Sequence, residues 1–375
     1  MRGEGAGGVT PSTVVLAAIG GLFVLKYGER LVGAPLAFWA AAAYGLVYLS
    51  ALGYVARQRV GAPGWVLAGV VVGIAVGVAY GAPATNGLAR APAINEWLGA
   101  LSAGTFPYGQ PSAPSSLPGL FLLASPFWAT GAVWLIPPVG LALLLWLMSR
   151  VAGSRGGVGV VATVGFVPVW YEVILHSELV ANGAVGLAAL LVSEALRRRG
   201  DRTALAVSVL VGGVALSTRL SVAIAFAVYG AWVLRRQPRW AVWWGGGALA
   251  VVALTVAPFA IWEPDVFGAL GPFSVQGRFI PLWAGVPGVG AALVLGWTAA
   301  DLRAVVGRAG ALLVVLAGCS FSLMLAQDGP PALWDSRFDI TYLVLGAPFL
   351  LASLPPWRDT SFEQASPSAD VRAPG

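Results

Sequence analysis

The chain has 375 residues, of which 58% are hydrophobic and only 10% charged, with a mean hydropathy of +0.81. Soluble globular domains carry about 25% charged residues, so this composition excludes an ordinary soluble globule and predicts an integral membrane protein. The formal charge of +6 does not argue for nucleic acid, because basic residues that border apolar helices report topology instead, and no nucleic-acid partner is expected.

The apolar segments are long, separated by turns, and free of alternation at every second residue. They predict an all-α, polytopic transmembrane helical bundle rather than a barrel. In chain order the expected spans are roughly 13–30, 34–55, 64–81, 131–149, 157–175, 180–196, 203–218, 220–234, 240–262, 283–300, 309–326 and 338–354, about twelve in all within a single membrane domain over 1–355. The start, MRGEGAGG, reads as the lead into a first membrane helix rather than a cleaved signal.

The third span repeats Gly69, Gly73, Gly77 and Gly81 at intervals of four. This lines one face with glycine and is expected to pack tightly inside the bundle. Residues 82–130 form the longest interruption, GAPATNGLARAPAINEWLGALSAGTFPYGQPSAPSSLPGLFLLASPFWATG from Gly81 to Gly131. It holds a helix-like piece around Asn95 to Ala103 with a single acid, Glu96, then a turn through Phe106-Pro107-Tyr108-Gly109 and a Pro/Ser segment. The apolar run Leu117 to Trp128 that follows is too short to span a bilayer and reads as a re-entrant or surface helix.

Five basic joints then fix the topology. Arg57 with Arg59, Arg150 with Arg155, Arg197-Arg198-Arg199 with Arg202, Arg235-Arg236 with Arg239, and Arg303 with Arg308 all fall on one side if twelve spans are counted. The positive-inside bias makes that side cytoplasmic, with both termini inside and the long loop outside. Glu29, Glu96, Glu172, Glu178, Glu263, Asp265, Asp328, Asp335 and Asp339 then fall on or near the outer face, where recurring acids commonly line a polar cavity. The tail over 356–375, rich in Ser, Pro, Asp and Ala, is expected to be disordered and cytoplasmic.

Several chemistries are excluded or left without a signal. The only cysteine, Cys319, has no partner for an intrachain disulfide. His176 is the sole histidine, which rules out multi-His metal centres, and no metal site is expected. It stands near the outer end of a span and reads as a capped, solvated helix end or as a wall of an outer cavity. No GxxxxGK[ST] loop occurs, so no ATP-driven mechanism is expected.

Taken together, these motifs resemble the membrane-embedded C-type glycosyltransferase superfamily, in particular its polyprenyl-phosphate-mannose-dependent mannosyltransferase-like branch. The resemblance covers residues 64 to 354 and lies in the order of the motifs. Glu96, Gly104-Thr105-Phe106-Pro107-Tyr108 and Ser116-Leu117-Pro118 stand where the family has an outer-loop acid, a Pro-Tyr turn and a Pro-rich lead into a shallow helix. Ser177-Glu178 through Asn182, the basic turn at Arg197, Leu216-Ser217-Thr218-Arg219, the Pro258-to-Phe267 exit and Asp335-Ser336-Arg337 follow in the family order. Glu96 replaces the aspartate usual in the family, and residues 1–60 read as an added N-terminal hairpin.

The resemblance implies an inverting transfer of a mannose-like hexose from a polyprenyl-phosphate donor to a glycan or lipid acceptor. The reaction would occur at the extracytoplasmic face of the plasma or inner membrane. Glu96 would be the catalytic base. Arg219, Arg278 and Arg337, with Arg90 as a fourth candidate, would hold the departing lipid phosphate. Trp97 and Tyr108 would stack on a sugar, Glu178 would bind sugar hydroxyls or complement a helix start, and Asp335 would lie in the same substrate region. No cofactor is firmly implied beyond the lipid-linked donor, and the motifs leave open a divalent cation, the sugar, the acceptor and the oligomeric state. A secondary transporter with helices interrupted at Pro137-Pro138 and Pro258, or a non-catalytic membrane partner, are the alternatives.

Overall fold

The computed structural model describes residues 10–57, 64–82, 90–112, 114–152, 156–277, 282–329 and 340–354. Every regular element among them is helical, as the all-α expectation requires. In chain order these are α1 (Pro11–Val32), α2 (Ala34–Arg57), α3 (Gly64–Gly81), α4 (Arg90–Ser102), α5 (Pro118–Ala129), α6 (Ile136–Ala152), α7 (Gly156–Gly165), α8 (Val167–Ile174), α9 (Leu179–Arg199) and α10 (Arg202–Leu216). They continue with α11 (Leu220–Arg236), α12 (Pro238–Trp262), α13 (Pro264–Leu270), α14 (Pro272–Gly277), α15 (Leu282–Trp297), α16 (Leu302–Asp328) and α17 (Ala347–Ser353). Short 3-10 turns cover Pro107–Gly109, Val133–Leu135 and Ile340–Gly346.

Six helical stretches are long and apolar enough to cross a membrane: Pro11–Glu29, Ala34–Val55, Val133–Val151, Leu179–Arg199, Pro238–Trp262 and Leu302–Asp328. The other six expected spans fall on shorter or broken helices, such as α10 with 15 residues and the α7–α8 pair divided at Phe166. The protein is a helical membrane protein in contact with lipid, and α12 shows this plainly: Val242, Trp243, Leu249, Leu254 and Ile261 are all exposed.

The helix ends are written locally. Gly200, at φ 74, closes α9 in the left-handed region that glycine enters without strain. The next residue, Asp201, caps α10 by accepting from Ala204 N at 2.7 Å. Asp301 caps α16 in the same way. Pro137 and Pro138, which the transporter alternative reads as a helix interruption, stand in the first turn of α6, where proline costs no intrahelical hydrogen bond. Pro258 lies inside α12, which runs on to Trp262.

The glycine face of α3 also departs from expectation. A Cβ on Gly69, Gly73, Gly77 or Gly81 would meet nothing within 4 Å. The stripe therefore faces away from the chain, and α3 packs inward through Val71, Ala75 and Ala79. By contrast α1, in the N-terminal hairpin, is built into the main core through Leu16, Ile19 and Phe23. Hydroxyls of Tyr44 and Tyr48 tie α2 to the α7 carbonyls Gly165 O and Ala162 O, each at 3.0 Å.

One end of the bundle gathers the basic turns. Arg235 and Arg236 donate to Ala299 O at 2.9 Å and Ala300 O at 2.8 Å, and Arg308 donates to Leu295 O at 2.6 Å. Arg303 reaches Ser353 O at 2.9 Å, and Ser353 Oγ lies 3.1 Å from Ser12 Oγ. Trp232 lies between the Arg197 and Arg236 guanidiniums, 5.5 and 4.3 Å from its ring. The starts of α1, α10 and α16 and the ends of α11, α15 and α17 thus share this end, a placement that the basic joints predict. Arg59, Arg155 and the tail from Pro355 lie outside the described residues.

Candidate functional site

At the opposite end, the long loop folds onto the bundle through an aromatic cluster. Trp97 and Tyr108 are almost wholly buried there, at 2% and 0% exposure. Tyr108 packs edge-on against Phe259 and Phe267, at 5.7 and 5.2 Å between centroids, and its hydroxyl donates to Ser116 O at 3.0 Å. Burial pushes the Tyr108 phenol well above its ordinary pKa. The Trp97 indole donates to Ser112 O at 2.6 Å. Neither ring offers a free face, so the expected sugar-stacking role is corrected: these aromatics fasten the loop because their polar tips find backbone partners inside an apolar cluster.

That cluster positions the Pro/Ser segment 110–117 as a strap across the end of α10. Leu117 N donates to Thr218 O at 3.0 Å and Gly119 N to Ser217 O at 2.7 Å. A Cβ on Gly119 would stand 2.5 Å from Ser217 O, so only glycine permits this approach. The strap thereby reaches Arg219, which begins α11 in an extended conformation.

Arg219 is the centre of the site. Although it is fully buried, it donates through Nη2 to Glu178 Oε1 at 3.0 Å and to Ser115 Oγ at 3.2 Å. The Arg219 guanidinium lies over the Tyr342 ring, 5.4 Å from its centroid. Arg90, at the start of α4, places Nη1 3.9 Å from the same Glu178 oxygen, with its guanidinium 6.0 Å from the Tyr342 centroid. Gln276 donates to Ser115 O from the far side of the strap.

Glu178 stands at the edge of α9, outside the spanning helix. It makes no side-chain cap bond; Glu172 Oε2 instead accepts from Leu179 N at 3.2 Å. Burial raises the Glu178 pKa, but the Arg90 and Arg219 guanidiniums outweigh burial and hold the carboxyl below its ordinary value. It therefore carries its negative charge and is a poor proton acceptor. The Glu178 carboxylate is thus shared between two guanidiniums.

Part of the Arg219 charge is unspent. Arg219 Nε and Nη1 are buried and have no hydrogen-bond partner among the described residues, a costly condition for a cation in an apolar setting. Arg219 lines an apolar cleft with Gln276, Tyr342, Ile224, Leu313 and Phe321. Its cavity volume is about 60 Å³. A cation at the head of an apolar cleft is the arrangement that a lipid with an anionic headgroup requires.

Glu96 is half-buried on α4, and its carboxylate accepts from Ser112 Oγ. Ser112 and Ser115 are three residues apart on the strap, at most about 11 Å even in extended chain. The strap thus links the expected base to the guanidinium site without direct contact between them. Arg278, Asp335 and Arg337 lie outside the described residues. Among the described residues, no group of three His, Cys, Asp or Glu side chains could hold a metal ion.

Sequence reasoning missed Ser115, Gln276 and Tyr342. Of these, Ser115 alone carried a signal, as its neighbour Ser116 opens the Pro-rich motif. His176, expected at a solvated helix end, is buried instead and sits at φ 51, with Nε2 2.8 Å from Ala79 O. It pins α3 to the α8–α9 corner, and it also borders a cavity shared with Tyr80, Asn95 and Trp134.

Comparison of the chain with protein-family models, curated proteins and solved structures returned no match.

Proposed function

We propose that the protein is a membrane-embedded glycosyltransferase that draws a hexose from a polyprenyl-phosphate donor and passes it to an acceptor hydroxyl at the extracytoplasmic face. One observation carries the reading: the fully buried Arg219, with Nε and Nη1 unpartnered among the described residues, at the head of an apolar cleft. Through these two atoms the guanidinium offers charged donors to a phosphodiester, which carries one negative charge. The charge left on the phosphate grows as the sugar departs, because a phosphomonoester carries about −1.5 to −2 at neutral pH. Pre-placed donors favour that developing charge over the ground state.

In this reading Glu96 takes the proton of the acceptor hydroxyl, and the freed oxygen attacks the anomeric carbon from the face opposite the phosphate. The bond from that carbon to the phosphate oxygen breaks, and its electron pair leaves with the lipid phosphate, held by Arg219 and Arg90. Configuration inverts at the sugar. Ser112 orients the Glu96 carboxylate, and the strap keeps base and cations in register. Arg278 and Arg337 would add to the same phosphate site and Asp335 to the sugar pocket.

The twelve expected segments then all cross the bilayer, with both termini cytoplasmic and the clasp of arginines on the cytoplasmic side. The gathering of basic turns at the end away from the cleft supports that orientation. In the test, the purified protein in sealed proteoliposomes is given radiolabelled polyprenyl-phosphate mannose, and label is followed into extracted acceptors and into the vesicle lumen. Transfer that Glu96→Gln abolishes is the expected result. Label that crosses the bilayer unaltered would favour a transporter, and label that neither moves nor binds would reject the reading.

A further inference from the structure

A second apolar cleft lies beneath α5, bounded by Leu120, Ala124 and Phe127 of α5, Leu143 of α6, and Asn182 and Val185 of α9. Its cavity volume is about 200 Å³, and it shares no lining residue with the cleft at Arg219. Its floor is the close approach of α6 to α9 at Gly140 and Ala181, where a Cβ on Gly140 would stand 2.5 Å from Ala181 Cα. Beside it, Leu122, Leu123 and Val139 are exposed, so the cleft adjoins a surface that hydrocarbon covers in a bilayer.

One polar group faces this cleft. Asn182 is 2% exposed, and its Nδ2 has no hydrogen-bond partner among the described residues. An amide N–H₂ buried without an acceptor costs on the order of 1–3 kcal/mol, so the position asks for a ligand oxygen. Glu178, the N-cap residue of α9, lies four residues earlier and just outside the cleft's lining, one helical turn from Asn182, and its Oε2 is also buried without a partner among the described residues. A donor and an acceptor so spaced are complementary to a hydroxyl, which accepts one hydrogen bond and donates another. A carbonyl or a bare methyl terminus satisfies at most one of the two.

We propose that this cleft takes the hydrocarbon chain of a membrane lipid alcohol, whose hydroxyl is received by Asn182 Nδ2 and Glu178 Oε2. The cleft binds such a chain whether or not transfer occurs; that this lipid alcohol is the acceptor rests on the transferase reading. The two clefts then approach the Glu178–Arg219 pair through different helices, one bringing a phosphate and the other a hydroxyl. The acceptor class is thereby narrowed from glycan or lipid to lipid.

The test uses the full chain in nanodiscs and two photoreactive probes, a diazirine-bearing hexadecanol and its methyl ether, with cross-linked peptides read by mass spectrometry. Cross-links from the alcohol are expected on segments 120–127, 139–143 and 181–185, with the ether labelling them about fivefold less, the loss of one hydrogen bond. Asn182→Leu is expected to lower labelling by both probes several-fold, because the ether oxygen accepts from Nδ2 as the hydroxyl does, while the protein stays monodisperse, and Val185→Phe, which fills the cleft, to remove the cross-links. Label spread evenly over the exposed faces of α2 and α12, or an unchanged pattern in Val185→Phe, would overturn the proposal. A photoreactive polyprenyl phosphate, run in parallel, reports on the Arg219 cleft alone. Its failure would sink the transferase reading while leaving the lipid-alcohol site standing.

Discussion

The buried pair Arg219–Glu178 separates what the site costs from what it does. Arg219→Met leaves the Glu178 carboxylate fully buried, with only Arg90 at 3.9 Å as a charged partner among the described residues. Breaking a buried pair by removing one partner costs about 3–5 kcal/mol. Glu178→Leu has the same order of cost, because it leaves a buried guanidinium held by Ser115 and the face of Tyr342. The double variant Arg219→Met/Glu178→Leu removes both charges and keeps the volume filled, so its cost should fall to within about 1–2 kcal/mol of wild type. The coupling between the two sites is then several kcal/mol, far above the few tenths expected of independent positions. Denaturant or thermal unfolding of all four proteins in identical micelles measures it. In the same set, binding of a long-chain alkyl phosphate should be lost in both Arg219→Met proteins, including the stable double variant. Additive single-variant effects, or retained phosphate binding in the double variant, would refute the assignment of Arg219 as an anion site held in place by Glu178.

Four further outcomes follow from the same geometry. Glu96→Gln should lower transfer by orders of magnitude with unchanged unfolding, whereas Ser112→Ala, which releases the Glu96 carboxylate from its partner, should lower the rate about tenfold; an unchanged rate would remove Ser112 from the site. Because the Glu178 carboxyl is held below its ordinary value of 4.5, the stability it contributes is present above that value and lost as pH falls through its lower folded value; an acid-unfolding midpoint unchanged in Glu178→Gln would contradict this. Tyr108→Phe should cost about 0.5–1.5 kcal/mol for one hydrogen bond and Tyr108→Ala about 3–5 kcal/mol for an emptied core site, and equal costs would mean that the ring is not packed as described. Gly119→Ala should detach the strap from the α10–α11 turn, and limited proteolysis within 110–117 would detect it; wild-type protection would show that the contact with Ser217 O is not needed.

The helical segments were legible because a membrane helix must satisfy its backbone within itself and present apolar side chains along its length, so composition alone exposes it. The strap was legible from its prolines and serines, and Arg219 from its place after Ser217-Thr218. What the sequence could not disclose is who meets whom. Glu178 and Arg219 are 41 residues apart, Ser115 and Arg219 are 104 apart, and Gln276 reaches Ser115 over 161; no periodicity carries such pairings. Trp97 and Tyr108 were misread because an amphipathic ring suits a membrane interface, a ligand face or a core cluster with a backbone acceptor equally well. Of the two readings of His176, the solvated helix end fails because the residue is buried against Ala79 O, while a place in a cavity wall agrees with the space it borders beside Tyr80 and Asn95. The glycines of α3 were misread because a small-residue stripe fixes a close approach without saying whose surface approaches.

The arginine clasp at the end away from the cleft has a mechanical consequence. Arg235 and Arg236 hold the carbonyls that end α15, and a Cβ on Gly296 would overlap Val228 O, so α11 and α15 touch backbone to backbone there. Arg308 of α16 grips the same turn. The wall formed by α11 and α16 is therefore riveted at its base and free only at its rim. On the proposed reading, the tail of a lipid donor would enter sideways by parting that rim, as pages open from a bound spine, while the spine itself stays shut.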